Sequence, residues 1–232
     1  MGKLGTQINE KVLQKLSYKL VIGIIATLML IGVFGYLADS LIDRELSAFD
    51  TFLSSIVFDM QTPWLTDFMI FVTSIGDTST YVVVVIIYLA VLLKKKLKLE
   101  SLILLITILG AWGLNGALKF MFQRARPDIE HLIEVGGYSF PSGHAMVSIA
   151  AYGIMGFLIV QYLQNQGRSY WPVILLTSLL IFLIGFSRVY LHVHYPSDVI
   201  AGFSAGAVWL LTCMYAMSIL KSRGNQKENS PL

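Results

Sequence analysis

The stretch Ser187 to Asp198, SRVYLHVHYPSD, gathers an arginine, two histidines and an aspartate in a 232-residue chain that is only 13% charged. His194 and Asp198 stand four residues apart, and Pro196 fits the first turn of a helix beginning there. Asp198 can then reach back to one imidazole nitrogen of His194 and fix its tautomer. The other nitrogen is left with a lone pair to act as nucleophile or base. A neutral histidine capping a helix would use the same residues, as would a metal site drawn from His192, His194 and Asp198. Against the metal, alternate histidines of an extended loop face opposite ways, and no further ligand set lies nearby.

A second stretch, Pro141-Ser142-Gly143-His144, precedes a long apolar run. Ser142 is a good N-cap, Gly143 permits close backbone approach, and the free N–H groups of a first helical turn form an anion site. By themselves these four residues are also ordinary helix punctuation. Three cations, Lys119, Arg126 and Arg188, fall near the ends of apolar runs. Each costs up to about 2.5 to 3.5 kcal/mol if left unpaired at bilayer depth, so they require an anion: either carboxylates, in a structural salt-bridge cluster, or a bound ligand.

The elements that must position these groups are read from the apolar runs. Hydrophobic residues make up 56% of the chain, against the roughly half expected of a soluble domain. Uncharged stretches predict six transmembrane helices at about 20–38, 68–93, 101–123, 144–163, 169–188 and 198–220. The second is read as one long, tilted span that tolerates Asp77 at the water rim. Between the first two spans, Leu41, Ile42, Leu46, Phe49, Leu53, Ile56 and Val57 recur at helical steps among Asp43, Arg44, Glu45 and Asp50. This predicts an amphipathic helix on the interface, ended by Pro63. No linker or repeat divides the chain, so residues 1–232 are expected to form a single all-α integral membrane domain. The first span is too long for a cleaved signal peptide and is expected to remain as an anchor. Cys213 sits within the sixth span as a small core residue.

Lys3, Lys11, Lys15, Lys19, Lys94, Lys95, Lys96, Lys98, Arg168, Lys221, Arg223 and Lys227 fall on one side of the predicted spans, 12 of the 17 Lys and Arg. The excess marks the cytoplasmic side and places both termini there. The net charge of +3 is thus a topology signal, and no basic patch with interleaved aromatics points to nucleic acid. The connections after the third and fifth spans are separated by two crossings and must share a face. By the charge count that face is the outer one. Two histidines, a carboxylate, three cations and a helix N-terminus therefore converge on one membrane face, as phosphoryl transfer requires.

Lys119 followed after six residues by Arg126-Pro127, then Pro141-Ser142-Gly143-His144, then Ser187-Arg188 followed by His194 and Asp198, resembles the three-part signature of the type 2 phosphatidic acid phosphatase superfamily. The six spans and the place of the first motif resemble its bacterial lipid phosphatase branch, and the length and layout a phosphatidylglycerophosphatase B-like enzyme. The resemblance implies that His194 is the nucleophile that forms a phosphohistidine, that Asp198 orients it, and that His144 is the general acid and then base. Lys119, Arg126 and Arg188, with Ser142 and the Gly143 N–H, would bind the phosphoryl oxygens. No metal or other cofactor is implied. The roles of His192, Arg124, Tyr190, Asn115 and His131 stay open.

The expected activity is hydrolysis of a lipid phosphate or diphosphate whose tail stays in the bilayer. Phosphatidylglycerophosphate and undecaprenyl diphosphate fit best, at a bacterial plasma membrane. Transfer of the phosphoryl group to another acceptor would use the same intermediate. A phospholipid transporter or anion sensor would use the cations but leaves two histidines and an orienting aspartate unexplained.

Overall fold

The computed structural model describes residues 2–228, with the side chains of residue 18 and of residues 20 to 222. The side chains of Lys3, Lys11, Lys15, Lys19, Arg223 and Lys227, which bear on orientation, lie outside those described. Eight helices and no strand occur among the described residues: α1 (Gly2–Ile42), α2 (Ser47–Phe58), α3 (Pro63–Ile75), α4 (Thr78–Lys94), α5 (Lys98–Phe122), α6 (Gly143–Asn165), α7 (Trp171–Tyr190) and α8 (Pro196–Glu228). Five contain apolar lengths sufficient to cross a membrane, and α3 with α4 supplies a sixth if the pair is counted as one span. The protein is an all-α integral membrane protein. α6 is the central helix and packs against α5, α7 and α8, while α1 lies against α8.

The second span departs from expectation. In place of one tilted helix there are two, bent by 51° at Gly76-Asp77. α3 starts in the usual way, with Pro63 in the first turn and the Thr62 hydroxyl accepting the Leu65 N–H at 3.3 Å. At its end Asp77 is extended and opens α4. A break in a helix leaves the last carbonyls before it without their helical partners. Side chains answer them: Thr80 Oγ1 donates to the Ser74 carbonyl and Tyr152 Oη to that of Ile75, both at 2.7 Å. The break is thereby a fixed feature that delivers Asp77 to the end of α6.

The amphipathic segment also differs in detail. α1 continues to Ile42, and α2 is a separate short helix. Asp50, expected on its wet face, is 1% exposed. It is buried because α2 sits against the start of α8, as the site below shows.

α6 and α8 come together through glycine. A Cβ on Gly202 would stand 2.6 Å from the Ser142 carbonyl oxygen, and one on Gly206 would stand 2.5 Å from that of Met146. The two glycines lie one turn apart and let the α8 backbone rest on α6, the small-residue packing of membrane helices. Gly206→Ala is expected to destabilise by about 1 to 3 kcal/mol, because neither backbone can yield locally. Gly113→Ala, where a Cβ meets nothing within 4 Å, is the control. Thermal unfolding in detergent checks this: equal midpoints for the two variants would refute it.

Candidate active site

Three loops and helix starts bring the predicted groups together at one end of the bundle. α7 ends at Tyr190 with Leu191 as its C-cap, and His192 takes a left-handed φ of 65°. This reverses the chain so that His194 returns over the first turn of α8. His194 is buried, and its Nδ1 lies 3.3 Å from Asp198 Oδ2, while Arg126 Nη1 lies 3.2 Å from its Nε2. A carboxylate only accepts and a guanidinium only donates. Nδ1 therefore carries the proton and Nε2 holds the lone pair. Burial pushes the His194 imidazole down to about 3, against the pull of Asp198 and reinforced by Arg188 and Arg126. It is held neutral.

Asp198 is fully buried, and both its oxygens are occupied. Oδ2 accepts the Ser139 hydroxyl and, at 2.9 Å, the Tyr195 N–H; Oδ1 accepts Arg124 Nη1 at 2.6 Å. Ser139 Oγ also lies 3.2 Å from His194 Nδ1. Its proton goes to Asp198, so it is a second acceptor for the Nδ1–H. Nothing in the sequence signalled Ser139.

The start of α6 is pinned to the start of α8, since the Ser142 N–H donates to the Asp198 carbonyl at 2.9 Å. Ser142 caps α6, its hydroxyl facing the Ala145 N–H at 3.5 Å. Gly143 is needed for space: a Cβ there would stand 2.9 Å from Asn115 Oδ1 and 3.9 Å from Lys119 Cε. Asn115 in turn donates from Nδ2 to the Pro141 carbonyl at 3.2 Å. The sequence reading missed the partner of His144. Its Nε2 lies 3.1 Å from Asp77 Oδ1, and the ring rests on Gly76, where a Cβ would come within 2.7 Å of its Cδ2. Asp77 is 49% exposed on its side chain, so this histidine–carboxylate pair, unlike the first, touches solvent.

The cations divide into two kinds. Arg124 spends its charge on Asp198 and, through Nη2, on Asp50 at 2.7 Å. Burial works against its charge, but these two carboxylates outweigh it and raise its proton affinity. Lys119, Arg126 and Arg188 have no carboxylate within 4.0 Å among the described residues. Lys119 Nζ donates to the Tyr138 carbonyl. Arg126 donates to the carbonyls of Gly136, Gly137 and Val193, and burial lowers its proton affinity, with Asp198 opposing. Arg188 is 3% exposed; Nη1 donates to Thr73 Oγ1 at 2.6 Å and Nε has no partner. The structural salt-bridge cluster weighed for Lys119, Arg126 and Arg188 is not formed among the described residues; the cation held by carboxylates is Arg124, whose role the sequence left open.

His192 belongs to neither group. Its Nδ1–H donates to the Glu130 carbonyl at 2.8 Å, its Nε2 accepts from the Gln61 amide, and Phe58 packs on the ring. Both nitrogens are spent, and among the described residues no cluster of three or more His, Cys, Asp or Glu side chains could hold a metal ion. Tyr190 is buried and pairs with Thr62 and Thr66; His131 donates to the Pro127 carbonyl.

Beside His144 a groove of about 450 Å³ opens between α4, α5 and α6. Asn115, Gly143 and His144 form its polar end, and Val85, Leu109 and Trp112 are among its apolar walls.

Fold and site together are those of a membrane lipid phosphatase. Residues 100–221 match the PAP2 superfamily, and the chain belongs to that superfamily. It is similar to phosphatidylglycerophosphatase B of Bacillus subtilis (strain 168), 30% identical over 73% of this chain and 84% of that protein. The crystal structure of a transmembrane PAP2-type phosphatidylglycerolphosphate phosphatase from Bacillus subtilis superposes with a TM-score of 0.76 at 26% identity, covering 89% of this chain and 98% of the other. An undecaprenyl-diphosphatase of Sulfolobus acidocaldarius is 28% identical over 65% of this chain and 69% of its own length.

Proposed function

We propose that this chain, as one membrane domain, hydrolyses lipid phosphate or diphosphate esters through a phosphohistidine on His194. Phosphatidylglycerophosphate and undecaprenyl diphosphate are the favoured substrates. The observation that carries the reading is the trio Lys119, Arg126 and Arg188, left without carboxylates among the described residues, with Arg126 beside the lone pair of a neutral imidazole. An anion with several oxygens supplies what they lack.

His194 Nε2 attacks phosphorus as the bond to the leaving oxygen breaks. Lys119, Arg126 and Arg188, with the Gly143 N–H at the start of α6 and the Ser142 hydroxyl, take the charge of the phosphoryl oxygens. Asp198 holds the Nδ1 proton and balances the charge that develops on the ring. His144 gives its proton to the departing lipid oxygen. As an imidazolium it donates Nε2–H to Asp77, which leaves Nδ1–H for that oxygen. The now neutral His144 then takes a proton from water as the hydroxyl attacks phosphorus, releasing phosphate and restoring His194. The groove ending at His144 has room for the lipid portion of the leaving group. The charge pattern of the loops supports cytoplasmic termini and an outward site in a bacterial plasma membrane.

The purified protein in detergent, with a chelator present, should release inorganic phosphate from lipid phosphates and be inhibited by vanadate, which imitates five-coordinate phosphorus. Comparing kcat/KM on phosphatidylglycerophosphate, phosphatidic acid and undecaprenyl diphosphate ranks the substrates. No release from any of the three across several detergents would refute the reading.

A further inference from the structure

A buried chain of alternating charge runs from the interfacial helix to the catalytic dyad. Asp50, on α2, accepts the Ser197 N–H at 2.9 Å through Oδ1 and the Ser197 hydroxyl at 2.7 Å through Oδ2. Oδ2 also meets Arg124 Nη2 at 2.7 Å, while Arg124 Nη1 reaches Ser197 Oγ at 2.7 Å and Asp198 Oδ1 at 2.6 Å. The guanidinium plane lies over the Tyr195 ring, 4.0 Å from its centroid. Its orientation is fixed on one face by the aromatic ring and at its edge by two carboxylates.

The salt-bridge arrangement is more than a clamp for the start of α8, because its far end is the carboxylate that bonds the Nδ1–H of His194. We infer that Arg124 and Asp50 are positioning residues that set how strongly Asp198 pulls on His194, and so how basic and how well aimed the attacking imidazole is. This rests on the phosphohistidine reading above. Arg124 draws charge from Asp198 and weakens its hold on the His194 proton. Asp50 shares Arg124 and limits that withdrawal. The two residues therefore act on the histidine in opposite senses.

The other groups facing the dyad are accounted for. His194 meets Asp198 and Ser139 at Nδ1 and Arg126 at Nε2, with Arg188 bearing on it through space. Asp198 meets His194, Ser139, the Tyr195 N–H and Arg124, with Lys119 and Arg126 further off. Apart from Arg124 itself, none of these side chains is altered by a substitution at position 50 or 124.

The test uses the full chain in detergent and a short-chain phosphatidic acid, with kcat/KM and kcat followed against pH. Arg124→Gln should move the acid limb of kcat/KM upward by about one pH unit and lower kcat about tenfold or more; Asp50→Asn should move the limb downward. Arg124→Lys keeps the charge without the two-pronged geometry, so it should hold the limb near wild type while kcat stays low. KM should change little, since the phosphate cradle is untouched. Arg124→Gln leaves two buried carboxylates and risks misfolding. The double variant Arg124→Gln/Asp50→Asn removes one charge of each sign, and its limb should fall between those of the single variants. Limbs that move in the same direction, or do not move while kcat falls, would overturn the inference and leave a purely structural bridge. Absence of turnover in the wild type would instead overturn the activity on which it rests.

Discussion

His194→Ala is expected to lower the turnover of lipid phosphates by about 10³-fold or more, with the protein still folded. Removing a nucleophile abolishes the covalent route and leaves only what binding and charge supply. The large effect follows from the geometry: Nε2 carries the one imidazole lone pair of the dyad, and Arg126 Nη1 stands 3.2 Å from it. His144 is assigned the proton transfers at its Nδ1, since its Nε2 is turned to Asp77. Single-turnover reaction with labelled substrate, quenched in alkali to preserve a phosphohistidine, should label the wild-type protein and leave His194→Ala unlabelled. Undiminished turnover, or equal labelling of the two, would remove His194 from the role of nucleophile.

Arg188→Met should separate activity from stability. Arg188 is among the most buried charges in the protein, carries no carboxylate partner and leaves Nε without an acceptor. A fixed donor aimed at developing charge is worth about 10² to 10³ in rate, so kcat/KM is expected to fall by that factor. Removing an uncompensated buried cation at nearly equal volume should at the same time raise the unfolding midpoint, the usual price of a site kept ready for an anion. Thermal unfolding and kinetics on the same preparation decide it. A lower midpoint together with unchanged kinetics would show Arg188 to be a structural residue.

Local spacing made half of this site legible in the sequence. His194 and Asp198 lie one helical turn apart, and Ser142 and Gly143 open a helix, so their contacts follow from backbone geometry alone. Span parity placed the two motifs on one face for the same reason. What stayed hidden depends on contacts across the bundle. Asp77 read as an acid tolerated at the rim of a continuous span, because composition does not reveal that the helix breaks at Gly76. Asp50 read as one of several polar residues on an amphipathic helix, because periodicity gives a face but not what covers it. Arg124 and Ser139 fall in a loop without periodicity. Gly202 and Gly206 carried a usable signal, a pair of small residues four apart in an apolar run, whose meaning depended on knowing which helix α8 would meet.

The groove at His144 has a consequence for the order of events. His144 lies in its wall and His194 does not, so cleavage leaves the lipid alcohol on one side of the broken bond and the phosphoryl group on the other. On the proposed phosphohistidine mechanism, the alcohol would be released at the groove while the phosphoryl group is still on His194. On the proposed mechanism the groove therefore serves the alcohol and not the phosphate, and the leaving group departs on the side where His144 stands.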